Sequence, residues 1–325
     1  MVSSEDNPVK EELSMRTRAL VSVLTAGALF VWSAPLQARA APSSPSSSSY
    51  RGVVLADRPL AYFRLDERSG NVAHDSSGHN FDGKIGSNVK LGKPPLIADT
   101  TSSMEFSGAD KSGPTEDVRI PGSPVFNRSK DVTIEAWAYP YSVAIHGQNS
   151  GDITVAAYGR DDAPDKQHCR YALEFDAHSH VWHFPAVING KVTDPIHVTG
   201  LHSFLDWVAA PFTGDEVKAH LLYAAAGTDG NPPRPRQLYH LVGTYDGETM
   251  KFYINGKLNN VKHVRGVIFG YEPKSGIGIG GEFVNLNPVF DGRISEVAIY
   301  DHVLSPQQIA RHYEVGIAPA TTARR

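Results

Sequence analysis

Along most of the chain apolar and polar positions alternate one by one, the period of a strand with one buried face. In 131–140, Ile134, Ala136 and Ala138 fall on one face, and Thr133, Glu135 and Trp137 on the other. In 170–176, Tyr171, Leu173 and Phe175 oppose Ala172 and Glu174. The stretch 237–257 reads as two strands around Asp246-Gly247, with Phe252 and Ile254 alternating with Lys251 and Tyr253. Asn255-Gly256 opens the next turn. Asp82-Gly83, Asn189-Gly190 and Asp291-Gly292 are turn dipeptides of the same kind. GIGIGG at 276–281 is a strand of small residues, against which a neighbouring backbone or ring packs closely. Helical periodicity is weak until the end. So many antiparallel strands with so little helix must pack sheet on sheet. The predicted fold is all-β, a two-sheet antiparallel β-sandwich over residues 50–316 with a short C-terminal helix.

That helix is strongly signalled. Ser305 suits its cap, Pro306 its first position and Gln308 the return bond of a capping box. Leu304 and Ile309 have staple spacing, Ile309 and Tyr313 form a small apolar stripe, and Gly316 suits the stop. A helix so short must dock on the sandwich to be stable. The segment 194–236 breaks the strand pattern and ends in the Pro-rich TDGNPPRPR. It reads as an insertion on the sandwich rim or as a longer edge hairpin.

Residues 1–40 read as an export signal: Arg16 and Arg18 flank the apolar stretch 19–32, and Ala38-Arg39-Ala40 supplies small residues for cleavage. Acidic residues ahead of Met15 do not suit such a signal, which is therefore read from Met15. The apolar stretch falls short of the about 20 residues of a membrane span, and no second one follows. The mature chain is expected outside the cytoplasm, without a transmembrane segment. The Ser/Pro-rich 41–49 is a linker unable to bury apolar surface, and 317–325 a disordered tail.

With 325 residues, 41% hydrophobic, the chain can build a large core. A formal net charge of -4 does not suggest a nucleic-acid phosphate track. The single cysteine, Cys169, makes neither an internal disulfide nor a cysteine-based zinc site.

Four stretches, taken in order, carry a resemblance. PLAYFRLDERSGNVAHDSSGHNFDGKI at 59–85, VTIEAWAYP at 132–140, YHLVGTYDGETMKFYINGK at 239–257 and FDGRISEVAIYDHVLSPQQIARHYEVG at 290–316 resemble the laminin G-like, concanavalin A-like jelly-roll domains of bacterial secreted proteins. The resemblance implies a twisted jelly roll whose first and last strands are neighbours. It also implies a module that binds glycan or another cell-surface ligand, often with structural calcium. The same architecture carries glycan hydrolases, so fold alone does not settle function.

Candidate chemistry follows. Calcium takes six to eight oxygen ligands. Asp66, Glu67, Asp75 and Asp82 in the first loop, with Asp291 on the closing strand, are its candidates; Asp66, Asp75 and Asp291 are the core set. Alternatively, Asp66 and Asp75 bond local backbone N–H groups and simply hold the loop. For glycan, Glu135, Trp137, Glu174, Lys251 and Tyr253, joined by His240, share the face opposite the core. Rings there stack on sugar C–H surfaces and polar groups bond hydroxyls. In the competing reading Trp137 is buried under the insertion, and Glu135 and Lys251 are cross-strand partners. Glu135 and Glu174 are also the pair a hydrolase or lyase would use. His178 and His180, assisted by His183 or His168, have the alternate spacing of a transition-metal strand. The remaining alternative is a structural or adhesive protein–protein module.

Overall fold

A computed structural model describes residues 49–109, 113–128, 130–143, 152–159, 169–176, 181–188, 191–197, 233–268, 275–283 and 289–319. A short helix α1 (Tyr50–Ala56) comes first. Then follow β1 (Ala61–Phe63), β2 (Val72–Ala73), β3 (Gly83–Ile85), β4 (Lys90–Lys93), β5 (Ser103–Ser107) and β6 (Val118–Pro121). After a 3-10 turn at Pro124–Phe126 come β7 (Val132–Pro140), β8 (Asp152–Gly159), β9 (Cys169–Asp176), β10 (Val181–Ile188) and β11 (Lys191–His197). Next are β12 (Tyr239–Tyr245), β13 (Thr249–Ile254), β14 (Lys257–His263), β15 (Gly276–Ile279) and β16 (Asp291–Tyr300), and the chain closes on α2 (Pro306–Ile317).

The strands form two antiparallel sheets. The first runs β14-β13-β12-β7-β16-β5-β4, with β1 beside β16; the second runs β11-β10-β9-β8-β15-β6-β3-β2. The expected pairing of first and last strands is present, Ala61 opposite Ile299 and Phe63 opposite Val297. The alternation sends the expected residues inward. Ile134, Ala136 and Ala138 of β7 meet Tyr171, Leu173 and Phe175 of β9 in one core between the sheets. Each such large side chain contributes about 1.5–3 kcal/mol by burial. At the β13–β14 turn Asn255 and Gly256 both have positive φ, 52° and 74°, the pair a two-residue hairpin requires.

The small-residue strand behaves as its sequence suggests. A Cβ on Gly276 would strike the Phe283 ring at 2.2 Å, and one on Gly278 the Gly281 carbonyl at 2.2 Å. Asp291-Gly292, by contrast, opens β16 instead of making a turn.

Helix α2 carries its complete capping box: Gln308 N–H donates to Ser305 Oγ (3.2 Å) and Ser305 N–H to Gln308 Oε1 (2.8 Å). Gly316 does not stop it, since the helix runs to Ile317. Its role is close approach, because a Cβ there would lie 2.3 Å from the Trp137 ring. Helix α1 is not anticipated by the alternation. It packs with α2 on the outer face of the first sheet, where Tyr50, Val54, Tyr62, Trp137, Val242, Tyr253 and Ile309 make a second core.

Residues 1–48, most of the 194–236 segment, and His168, His178 and His180 lie outside the described residues. Among those described, no helix is long and apolar enough to cross a membrane.

Candidate functional site

Glu135 points outward from β7, as its position in the alternation requires, but the face it joins is closed. It is 0% exposed. Tyr50 of α1 donates to Oε1 at 2.6 Å and Tyr300 of β16 to Oε2 at 2.9 Å. His240 Nε2 lies 2.7 Å from Oε1, and His312 Nδ1 3.0 Å from both oxygens. His312 Nε2 reaches Asp57 Oδ2 at 2.9 Å, and Gln308 donates to Asp57 Oδ1 at 2.7 Å. A carboxylate can only accept, so His312, between two carboxylates, donates from both nitrogens and is an imidazolium.

The electrostatics agree. Burial opposes the charge on His312, but Glu135 and Asp57 lift it to about 10. Burial likewise works against an ionised Glu135. The His312 charge and the bonds from His240 and His312 overcome it and hold the carboxyl well below the usual range. Burial depresses His240, which is neutral, with Nε2–H on Glu135. Trp137 stacks with Tyr313 (5.9 Å, 14°), lies tilted against His240 (4.7 Å, 32°) and meets the Tyr50 ring edge-on.

The sugar-binding expectation for this face is corrected here. The structure does bring Glu135, Trp137, His240 and Tyr253 together, but beneath α1 and α2, where they pin two helices to a sheet. Lys251 lies two residues from Tyr253 on β13 and is half-buried. Tyr50, Asp57, Tyr300 and His312 complete the cluster and were not anticipated. The available signal was on α2, where Gln308 and His312 sit one turn apart beside the apolar stripe.

Glu174 belongs to the other sheet. Leu173 and Phe175 face the core, so Glu174 faces away from it, on the side opposite Glu135. Sheets in a sandwich pack about 10 Å apart. Two carboxylates pointing away from each other across that layer exceed the about 5–9.5 Å used in glycoside hydrolysis. The Glu135/Glu174 catalytic pair is therefore excluded.

Around Glu174 the outer face of the second sheet has its own pattern. Thr154, Glu174 and His183 stand in register across β8, β9 and β10. Thr154 Oγ1 donates to Glu174 Oε1 at 3.1 Å, and His183 Nε2 lies 3.6 Å from Oε2. All three are 2% exposed or less. Next to this row Ala157 and Ala172 pair as a patch of small side chains separate from the main core. On the far side of the patch the 281–283 turn lies on Gly276 and Gly278. The Arg119 guanidinium sits 5.8 Å from the Phe283 ring and is held by Asp117 at 2.8 and 3.2 Å. Burial raises Asp117 to about 6, against the pull of Arg119.

The calcium set does not assemble. Asp75 accepts from Tyr62 N, Ser77 N, Ser77 Oγ and Phe81 N, all within 3.0 Å, which is the loop-holding role. Asp66 pairs with Arg64 at 3.0 Å. Asp291 opens β16 opposite Ser107, seven residues before Ala298, the partner of Tyr62. Along a strand that places it about 23 Å from Asp75. The three carboxylates do not fit a shared calcium ion. Among the described residues no three His, Cys, Asp or Glu side chains are placed to hold a metal.

Residues 111–310 match the family described as the concanavalin A-like lectin/glucanases superfamily, in its laminin G branch. The chain belongs to this family. The receptor-binding domain of botulinum neurotoxin mosaic serotype C/D is similar in fold, with TM-score 0.52 and 14% identity over 80% of this chain and 51% of that one. The type G receptor-binding domain aligns with TM-score 0.50 and 10% identity, over 79% and 51%. The binding domain of botulinum neurotoxin DC, solved with rat synaptotagmin II, aligns with TM-score 0.50 and 15% identity, over 80% and 52%. The chain thus spans about half the length of these structures. At such identities the likeness is one of fold. No curated protein matches the chain.

Proposed function

We propose that this member of the lectin/glucanase superfamily is an exported, non-catalytic module that binds glycan on a cell or matrix surface. Its ligand face is the outer face of the second sheet. The observation that carries this reading is the in-register row Thr154–Glu174–His183 beside the Ala157/Ala172 patch, on the sheet face that no described helix covers. Small side chains let a sugar ring approach the sheet, while a carboxylate with a hydroxyl and an imidazole beside it suits exchange of hydrogen bonds with sugar hydroxyls. The row and both alanines are 2% exposed or less, so a ligand reaches them only by displacing what covers them. The chain is similar in fold to about half of domains named for receptor binding, which lends the reading limited support. Export rests on the signal-like segment 1–40.

A glycan array probed with the secreted chain tests this. Wild type should give discrete positives. Glu174→Ala and His183→Ala should lose the positives among neutral glycans while keeping the far-UV spectrum, and Lys251→Ala should keep them. An array silent for wild type would replace the reading with a protein–protein module.

A further inference from the structure

Helices α1 and α2 cover only part of the first sheet's outer face. Beyond them a row of side chains runs in register across four strands. Tyr139 of β7 stands opposite Arg293 of β16, Arg293 opposite Glu105 of β5, and Glu105 opposite Lys90 of β4. The row is about 14 Å wide at the usual strand spacing. The Arg293 guanidinium lies 4.7 Å over the Tyr139 ring, with Nη1 donating to Pro94 O at 2.7 Å. Its Nε makes no hydrogen bond among the described residues. Tyr141 meets Tyr139 edge-on at 6.0 Å.

Glu105 is already spent: it accepts from Tyr141 at 2.6 Å and lies 3.0 and 3.2 Å from Lys90 and Lys93. Asp291 lies two residues before Arg293, and Glu116, beyond it, bonds Ser107 and Asn88. On the other side Arg236 N–H donates to Pro140 O at 2.6 Å, and Arg234 and Arg236 are exposed. Among the described residues Lys90, Lys93, Arg234, Arg236 and Arg293 outnumber the carboxylates Glu105, Glu116 and Asp291 around them, on a chain whose net charge is -4.

Clustered cations attract anionic groups, and half-exposed tyrosines among them offer ring faces and edges to sugar C–H surfaces. We infer that this strip is a second binding surface, for an acidic glycan carrying carboxylate or sulfate groups along its length. It is separate from the Glu174 face and does not depend on it.

Binding of the full chain to polygalacturonate, dextran sulfate, neutral dextran and poly-glutamate, at low and at physiological salt, tests this. Both acidic polysaccharides should bind, more weakly as salt rises. Arg293→Ala and the pair Lys90→Glu/Lys93→Glu, the first exposed and the second half-buried, should each weaken that binding about tenfold. The lysine pair lies on the surface and keeps the test meaningful if Arg293→Ala perturbs the sheet. Glu174→Ala should leave it unchanged. Equal binding of neutral dextran would overturn the inference, as would equal binding of poly-glutamate or an unaffected lysine variant. None of these results would touch the Glu174 reading, which the array tests by itself.

Discussion

The outer faces of the two sheets are built from the same alternation and end up in different roles. On the first sheet, Glu135, Trp137, His240 and Tyr253 carry large rings and ionisable groups, and α1 and α2 close over them. On the second, Thr154, Glu174 and His183 stand beside two alanines with no described helix above. Both faces are buried, so a polar residue pointing out of a sheet is ambiguous by itself, and the groups packed over it decide its role. Glu135 joins elements together, since protein groups fill both its oxygens.

The sharpest way to break this contrast is to remove the two carboxylates in turn. Glu135→Ala strands a buried imidazolium and should cost about 3–5 kcal/mol in urea unfolding, while Glu135→Gln loses less. Glu174→Ala should cost less than Glu135→Ala and abolish glycan binding at the second sheet, leaving the binding of acidic polysaccharides to the Arg293 strip intact. Equal losses in the two alanine variants would erase the distinction. Next in size, Gly316→Val presses carbon atoms into the Trp137 ring and should cost about 1–3 kcal/mol, seen as a lower Tm with glycan binding retained.

Acidity tests the helix clasp more gently. With His312 at about 10 when folded and near 6.5 when unfolded, its contribution is complete below pH 6.5 and is lost as pH rises through 10. Glu135, depressed on folding, contributes above about pH 4.5 and loses its share as pH falls through its folded value. Tm should therefore decline toward pH 10, and His312→Asn should flatten that decline. Burial lifts Glu296 to about 8, so its share of the decline falls at lower pH, from 4.5 through 8, and Glu296→Gln should remove it. The smallest effect is none: because Asp75 is satisfied by protein donors, a calcium chelator should leave Tm unchanged.

The strands were legible because a period of two needs only local information. Ile134 against Glu135 and Leu173 against Glu174 were assigned to the correct faces. The capping box at Ser305–Gln308 was equally local. What could not be read was the cover. Helix α1 is one short stretch, YRGVVLA, whose Val53-Val54 favours a strand locally, and it is held by contacts with residues distant in sequence. Nor does alternation say which sheet a strand joins, so Glu135 and Glu174 looked like neighbours. Gly316 looked like a helix stop because the Trp137 ring it touches is remote in sequence. Asp75 and Asp291 fell into one loose set because pairing of β1 with β16 was expected without knowing the register.

The partners of α1 and β1 come from the far end of the chain: Asp57 meets His312 across 255 positions, and Tyr62 meets Glu296 across 234. During synthesis these first elements wait for almost the whole polypeptide before they can settle. Contacts of such long range slow folding and leave the leading segment extended while the rest is made. On the export route proposed above, late closure of this kind would keep the leading end free for transport.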